Sequence, residues 1–301
     1  MGDIKLFRTT SNGVTELEGR SVAMEKSLQN LLEKNLDDFL GVTFLASEYS
    51  TGKSHGGRMD TLGIDENRCP VIIEYKRSSN QNVINQGLFY LDWLMDHKAD
   101  LELLARKRLG PDIADHIEWS SPRLLCIAGD FTKYDQHAVQ QIGRNIELMR
   151  YQRFEEELLM LELVNAVSTG DVGTTAPAKT SSTDKSVTDQ LADADRELVD
   201  LFELTKEYLM SLGDDVQMKT LKLYVAFRRI KNFACVEVSA GRGVLRMFLK
   251  VSPDDVQLED GFTRDVRNIG HWGTGSLEVT VRSEQDLERA KPLLERSYHA
   301  S

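Results

Sequence analysis

Apolar positions recur at three- and four-residue spacing through SVAMEKSLQNLLEKNLDDFLG, residues 21–41. Met24, Leu28, Leu31, Leu32, Phe39 and Leu40 fall on one helical face there, and Gly41 supplies a stop. The period then shortens to that of strands in VTFLASEYS, in RMDTLGI and in VIIEYKR, the last two flanking the turn-like DENRCP. Helical spacing returns in NVINQGLFYLDWLMDHKADLELLARKRLG, which is long enough for one or two helices. PRLLCIAGDF reads as a buried strand, YDQHAVQQIGRNI as a helix and IELMRYQRF as a last strand. This order predicts an α/β layer architecture, a mixed sheet flanked by helices.

The pattern lapses over STGDVGTTAPAKTSSTDKSVT, residues 168–188, which is rich in small and polar residues and reads as a flexible linker. Three segments are expected: a domain over 1–165, a linker over 166–190 and a smaller α+β domain over 191–301. The second domain opens with the helix DADRELVDLFELTKEYLMSLG and continues through the strands FACVEVS, GVLRMFLKV and SLEVTVRS. It closes on the helix SEQDLERAKPLLERSYH, with Ser283 suited to its N-terminus. The length of 301 residues suits two domains at roughly 150 each.

Charge narrows the function. The formal net charge is −11, from 37 Lys and Arg against 48 Asp and Glu, so indiscriminate coating of a polyanion is excluded and any nucleic-acid chemistry must be local. The sequence has no apolar run of membrane-spanning length and no signal-peptide core at its start, which points to a cytoplasmic protein with no membrane partner. Cys69, Cys126 and Cys235 are far apart, two of them in apolar runs, and read as buried small hydrophobes rather than as a disulfide or zinc framework.

The sharpest chemical signal lies in the hairpin around Asn67. If residues 60–65 pair antiparallel with 69–74, paired numbers sum to 134 and Asp60 lies opposite Glu74. Directly opposed Cβ atoms are about 4.5–5.5 Å apart. Two carboxylates so placed either share a cation or share a proton. Lys76 lies on the same strand face as Glu74, with Tyr75 on the other. Hard oxygen donors suit Mg²⁺ or Mn²⁺, and an ammonium beside such an ion suits phosphodiester hydrolysis. An E-x-K on a strand, taken alone, is ordinarily a solvated ion pair. The order Asp, thirteen residues, Glu, x, Lys on two strands between two helices is what adds meaning.

Asp60…Glu74-x-Lys76 resembles the core of the PD-(D/E)xK nuclease superfamily, and GGRMDTLGIDENRCPVIIEYKR resembles the catalytic hairpin of NucS-type endonucleases. Gln86-Gly-Leu-Phe-Tyr90 is similar to the Q-x₃-Y element of RecB-like members, and Glu25 matches a helical glutamate that such nucleases add. The resemblance covers residues 20–152 and implies a restriction-endonuclease-like fold. It implies Asp60, Glu74 and the Tyr75 carbonyl as ligands of Mg²⁺ (or Mn²⁺), Glu25 as an acid that either supports those ligands from behind or holds a second metal ion, Lys76 as the catalytic lysine, and Gln86 and Tyr90 as positioning groups for Lys76 or the nucleic-acid strand. Lys53, Arg58 and Arg77 are candidate phosphate contacts. Met59 stands where the family motif has proline. The N-terminal extension of the mismatch-cleaving NucS type is missing here, which puts their dimer geometry and mismatch specificity in question for this chain. A homodimer stays open.

The C-terminal domain resembles a small domain of uncharacterised function labelled "predicted transport protein", through LKLYVAFRRIKNFACVEV, DVRNIGHWGTGSLEVTVRS and the closing helix. Its basic residues Lys219, Lys222, Arg228, Arg229, Lys231, Arg242 and Arg246 form either a solvated face or a surface for nucleic acid or a partner. The loop GHWGTG places Trp272 either over a small core or against a base. Thr51-Gly-Lys-Ser54 is similar to the end of a P-loop, but that motif requires glycine at position 47, where Ser47 stands. The expected function is thus a metal-dependent nuclease acting on DNA, in repair or defence. The alternative is a non-catalytic nucleic-acid-binding or protein-interaction module on the same fold. DNA versus RNA and endo- versus exonuclease action stay open.

Overall fold

In a computed structural model describing residues 4–20, 25–76, 82–155, 157–167 and 185–301, the chain divides into two compact units, Met1–Thr169 and Gly170–Ser301. Met24 and Arg77 lie outside the described residues. The first unit begins with a hairpin, β1 (Leu6–Thr10) and β2 (Gly13–Leu17), turning at Ser11-Asn12 with Gly13 at φ +143°, and a two-residue β3 (Gly19–Arg20). The amphipathic helix expected over 21–41 is two helices, α1 (Glu25–Lys34) and α2 (Leu36–Leu40), broken at Asn35. Gly41 ends α2 in the left-handed conformation, φ +62°, as a helix stop requires.

Then follow β4 (Val42–Ser50), a single turn α3 (Gly52–His55), β5 (Arg58–Asp65), β6 (Pro70–Lys76), α4 (Asn82–Asp96), α5 (Lys98–Leu109) and the short α6 (Pro111–Ala114). The unit ends with β7 (Arg123–Ala128), α7 (Lys133–Gln141), β8 (Asn145–Phe154) and β9 (Leu158–Val167). β4, β5 and β6 are antiparallel, β6, β7 and β8 parallel, and β9 antiparallel to β8, so the seven-stranded sheet is mixed. The parallel steps follow from helical crossovers: α4 and α5 between β6 and β7, α7 between β7 and β8. Ile72, Leu124, Cys126, Ile146 and Leu148 on one sheet face are buried with Ile84, Leu91 and Leu94 of α4 and Val139 of α7. α1 and α2 pack on β4, β5 and β6.

The strand β9 was not foreseen, because LLMLELVNAV has no clean alternation; pairing along the whole of β8 makes it a strand. Its reach to Val167, and the start of the next helix at Val187, correct both ends of the expected linker.

At the turn end of β5, a buried ion triad ties three strands. Arg123 of β7 donates Nε and Nη2 to the two carboxylate oxygens of Glu147 on β8, both at 2.8 Å, and Nη1 to Asp65 Oδ2 on β5 at 2.9 Å. Asp65 Oδ1 accepts the N–H groups of Asn67 (2.9 Å) and Cys69 (2.8 Å), which folds the turn. All three side chains are buried.

The second unit has α8 (Val187–Asp193), α9 (Arg196–Ser211), β10 (Gln217–Thr220), β11 (Val225–Arg228), β12 (Asn232–Ser239), β13 (Val244–Leu249), β14 (Thr263–Asp265), β15 (Leu277–Val281) and α10 (Glu284–His299). Its antiparallel sheet has the order β10-β11-β12-β13-β15-β14. Val236, Val238, Leu245, Met247, Val279 and Val281 form one core with Leu201 of α9 and Leu287 and Leu294 of α10. Ser283 Oγ accepts the Asp286 N–H and caps α10. The three cysteines are buried. Among the described residues, no helix is long and apolar enough to cross a membrane.

Candidate active site

The hairpin register is the one the sequence predicts: Thr61 pairs with Ile73, Leu62 with Ile72 and Gly63 with Val71. The backbone ladder stops one pair short of Asp60 and Glu74, and side chains take over. The Asp60 N–H donates to Glu74 Oε1 (3.1 Å), and the Tyr75 N–H donates to Asp60 Oδ2 (3.0 Å). On the other edge of β5, the ladder with β4 pairs Ser47 with Thr61 and Tyr49 with Met59 but omits Glu48 opposite Asp60. Glu48 is left-handed, φ 53°, a conformation uncommon outside glycine. The Asp60 carbonyl accepts instead from Gln29 Nε2 at 2.7 Å. Both backbone groups of Asp60 are therefore satisfied by side chains, one from β6 and one from α1.

Glu74 is fully buried, and its second oxygen, Oε2, has no hydrogen-bond partner among the described residues. Burial, then the Asp60 charge, pushes the Glu74 carboxyl up to about 9, so at neutral pH it holds a proton unless a cation stands beside it. Burial also raises Asp60, against the Tyr75 N–H and Lys76, which lower it. Lys76 Nζ donates to Glu25 Oε1 at 3.1 Å. Desolvation works to lower the Lys76 pKa, but the Glu25 hydrogen bond and the carboxylates of Glu25, Asp60 and Glu74 outweigh it and raise it, which keeps the ammonium charged.

Two expectations need correction. Glu25 turns to Lys76, and among the described residues no three His, Cys, Asp or Glu side chains are grouped to hold a metal ion, so Asp60, Glu74 and Glu25 do not form a ready-made ligand triad. Gln86 and Tyr90 do not hold Lys76: Gln86 Nε2 donates to the Tyr90 hydroxyl (3.0 Å), which accepts the Arg58 N–H at 3.2 Å. These bonds tie α4 to the start of β5, where a Cβ on Gly57 would lie 2.4 Å from the Tyr90 ring. Tyr90→Phe is accordingly expected to cost about 1 kcal/mol, read as a lowered urea midpoint, since it removes those hydrogen bonds and keeps the ring. Lys53 is exposed on an open cleft of about 520 Å³ lined also by Tyr49, His55, Trp93 and His97.

Arg58 lies two residues from Asp60 at the rim and pairs through Nε with Glu48 (2.9 Å). The Tyr75 ring is buried, its hydroxyl accepting from Thr61 Oγ1 at 3.3 Å. Arg77, the third predicted phosphate contact, lies outside the described residues. Sequence reasoning missed Gln29, Lys26 and Glu48. Lys26 bridges Gln29 Oε1 (3.0 Å) and Glu48 Oε1 (2.6 Å). Gln29 carried a signal, since it sits four residues after Glu25 on the same helical face.

In the second unit, the predicted basic run disperses. Arg228 is buried and bonds the Ile230 carbonyl, while Arg229 pairs with Asp215 (2.6 Å) and lies over the Tyr298 ring. In the GHWGTG loop, His271 stacks on Phe248 with ring centroids 4.3 Å apart.

A mixed α/β sheet carrying a buried Glu74 carboxyl, a half-buried Asp60 and an ammonium is the class of site that fold and geometry define. The comparisons with known proteins add the following. A family model described as a domain of unknown function (DUF5655) matches residues 187–301. Over 304 aligned residues the chain is 29% identical to a Haemophilus influenzae protein described as "Uncharacterized protein", covering 98% of this chain and 99% of that one. Among solved structures, a repair endonuclease from Pyrococcus abyssi is similar at 19% identity and a TM-score of 0.30, over 46% of this chain and 50% of that one. The structure of an EndoMS–dsDNA complex is similar at 15% identity and a TM-score of 0.30, over 49% and 64% respectively. The chain thus spans less than two thirds of either solved neighbour.

Proposed function

We propose that the first unit is a metal-dependent nuclease that hydrolyses phosphodiester bonds of DNA. The observation that carries this reading is Glu74 Oε2, a buried carboxylate oxygen without a partner among the described residues, beside Asp60 and within the field of Lys76. A carboxyl pair whose natural charge is suppressed by burial is the donor set a divalent cation would complete. Asp60 and Glu74 would hold Mg²⁺ or Mn²⁺, with the Tyr75 carbonyl as a third oxygen and water filling the rest. Such an ion polarises a phosphoryl oxygen and lowers the pKa of a bound water. Lys76, kept charged by Glu25, neutralises charge developing on phosphorus. Arg58 at the rim, Lys53 in the cleft and Arg77 contact backbone phosphates. DNA rather than RNA rests on the resemblance of the hairpin to DNA-cleaving families.

A second reading, a binding module without catalysis, is favoured by one observation: Glu25 is engaged by Lys76, which leaves two carboxylates rather than three. The test is a cleavage panel of full-length protein on single-stranded, duplex, mismatched and branched DNA and on RNA, with Mg²⁺ or Mn²⁺. Cleavage is expected on at least one DNA, reduced about a hundredfold by Lys76→Ala, the usual scale for losing one preorganised electrostatic group. Cleavage that survives Lys76→Ala, or no turnover on any substrate, overturns the nuclease reading. DNA binding without turnover supports the module.

A further inference from the structure

The second unit has one sheet face buried under α9 and α10 and another that the helices leave uncovered. On that other face, the register places Glu237 (β12), Arg246 (β13) and Thr280 (β15) in one row, and Phe248 (β13), Glu278 (β15) and Arg264 (β14) in the next. The His271 ring covers Phe248. Beside it stays a cavity of about 270 Å³ lined by Arg242, Arg246, Arg264, Arg282, Glu278, Thr280 and Val244. These arginines come from four separate places in the sequence: the turn before β13, β13 itself, β14 and the residue after β15.

The charges around this cavity do not cancel. Arg246 pairs with Glu237, and Arg264 pairs with Glu278 at 2.7 Å. Arg282 donates Nη1 to the Gly261 carbonyl at 2.7 Å, which fixes the guanidinium without neutralising it. Among the described residues neither the Arg242 nor the Arg282 guanidinium meets a carboxylate, although the Arg282 backbone N–H donates to Asp286 Oδ2 at 3.1 Å. Arg246 also keeps its Nε buried with no hydrogen-bond partner among the described residues. Leaving a buried donor of a charged group unsatisfied is costly unless a ligand supplies the acceptor.

We infer that this cavity is a binding site for the dianionic phosphate group of a phosphate monoester. Four guanidiniums against two carboxylates leave two positive charges, the charge a monoester carries near neutral pH. Arginine, unlike lysine, offers a planar fork that matches phosphate oxygens bidentately. The Thr280 hydroxyl adds a neutral donor in the same row. The cavity is of a size for a phosphate and its sugar, not for a duplex. In a chain of net charge −11, this local excess is what makes an anion site workable.

The experiment is calorimetric titration of the full chain, in EDTA so that cleavage plays no part, with two probes: thymidine monophosphate and an oligothymidylate lacking terminal phosphates. Thymidine monophosphate is expected to bind, and Arg242→Gln with Arg282→Gln is expected to weaken it at least about tenfold, since hydrogen bonds to charged groups are stronger than neutral ones. Both side chains are exposed, and circular dichroism checks the fold. Arg196→Gln, on an exposed helical residue elsewhere, should leave binding unchanged. Absence of monophosphate binding at millimolar concentration, or binding that the double variant retains, overturns the proposal. So does tighter binding of the unphosphorylated oligonucleotide, which would assign the site to phosphodiesters.

Discussion

Glu74→Gln is expected to abolish cleavage and, in metal-free buffer, to change how the stability of the first unit responds to pH. In the unfolded chain this carboxyl ionises near 4.5; in the folded chain it holds its proton to about 9. Between those values the folded state binds more protons than the unfolded one, so stability falls as pH rises through that window. The slope is about 1.4 kcal/mol per pH unit, or about 3 kcal/mol accumulated by pH 7. Glutamine has no such titration. The stability of the variant minus that of wild type should therefore grow from pH 5 to pH 8, followed by the fluorescence of Trp93 and Trp119 during urea unfolding. Added Mn²⁺ should raise wild type by mass action and leave the variant unmoved. A pH-independent difference, or equal stabilisation of both by metal, would contradict the assignment of Glu74 as a buried ligand.

The second large effect is expected at the opposite end of the hairpin. Arg123→Ala removes the one cation between Asp65 and Glu147 in the buried triad and leaves two carboxylates without it in the interior. Breaking a buried pair in this way costs about 3–5 kcal/mol, a large part of the stability of a domain. Replacing the whole set, Arg123→Met with Glu147→Leu and Asp65→Asn, should recover most of that loss, because the charges go together while Asn keeps an oxygen for the turn N–H groups. If the single substitution costs under 1 kcal/mol by urea unfolding, the triad is not holding the strands together.

Period and turn chemistry make the β5–β6 hairpin legible in the sequence. Its register is local, dictated by Asp65-Glu-Asn-Arg-Cys and by which residues must face inward, and the observed pairs sum to the expected 134. The identities of Asp60, Glu74 and Lys76 followed from that register. The groups that finish the site did not, because Gln29 reaches the Asp60 carbonyl through the packing of α1, and Glu48 holds Lys26 and Arg58 from an irregularity in β4, neither of which leaves a periodic trace. The helix break at Asn35 was hidden for a related reason: apolar spacing continues on both sides of it. The arginine cavity was invisible in the same sense, since Arg264 and Arg282 join Arg242 and Arg246 only through strand order. Conversely, the run from Lys219 to Lys231 looks like a patch because its members are close in sequence, but Arg228 turns into the fold to bond the Ile230 carbonyl and Arg229 pairs with Asp215.

The turn that joins β5 to β6 also acts as a gauge. Asp65 clamps it from within, and the ladder transmits its length, pair by pair, to the point where Asp60 and Glu74 exchange N–H bonds with each other's strands. Surface turns usually tolerate an extra residue well. Here an added or deleted residue between Asp65 and Pro70 would shift one strand by half a side-chain period and send one carboxylate to the opposite face of the sheet. Length variation, ordinarily the cheapest change a loop can undergo, is closed to this one.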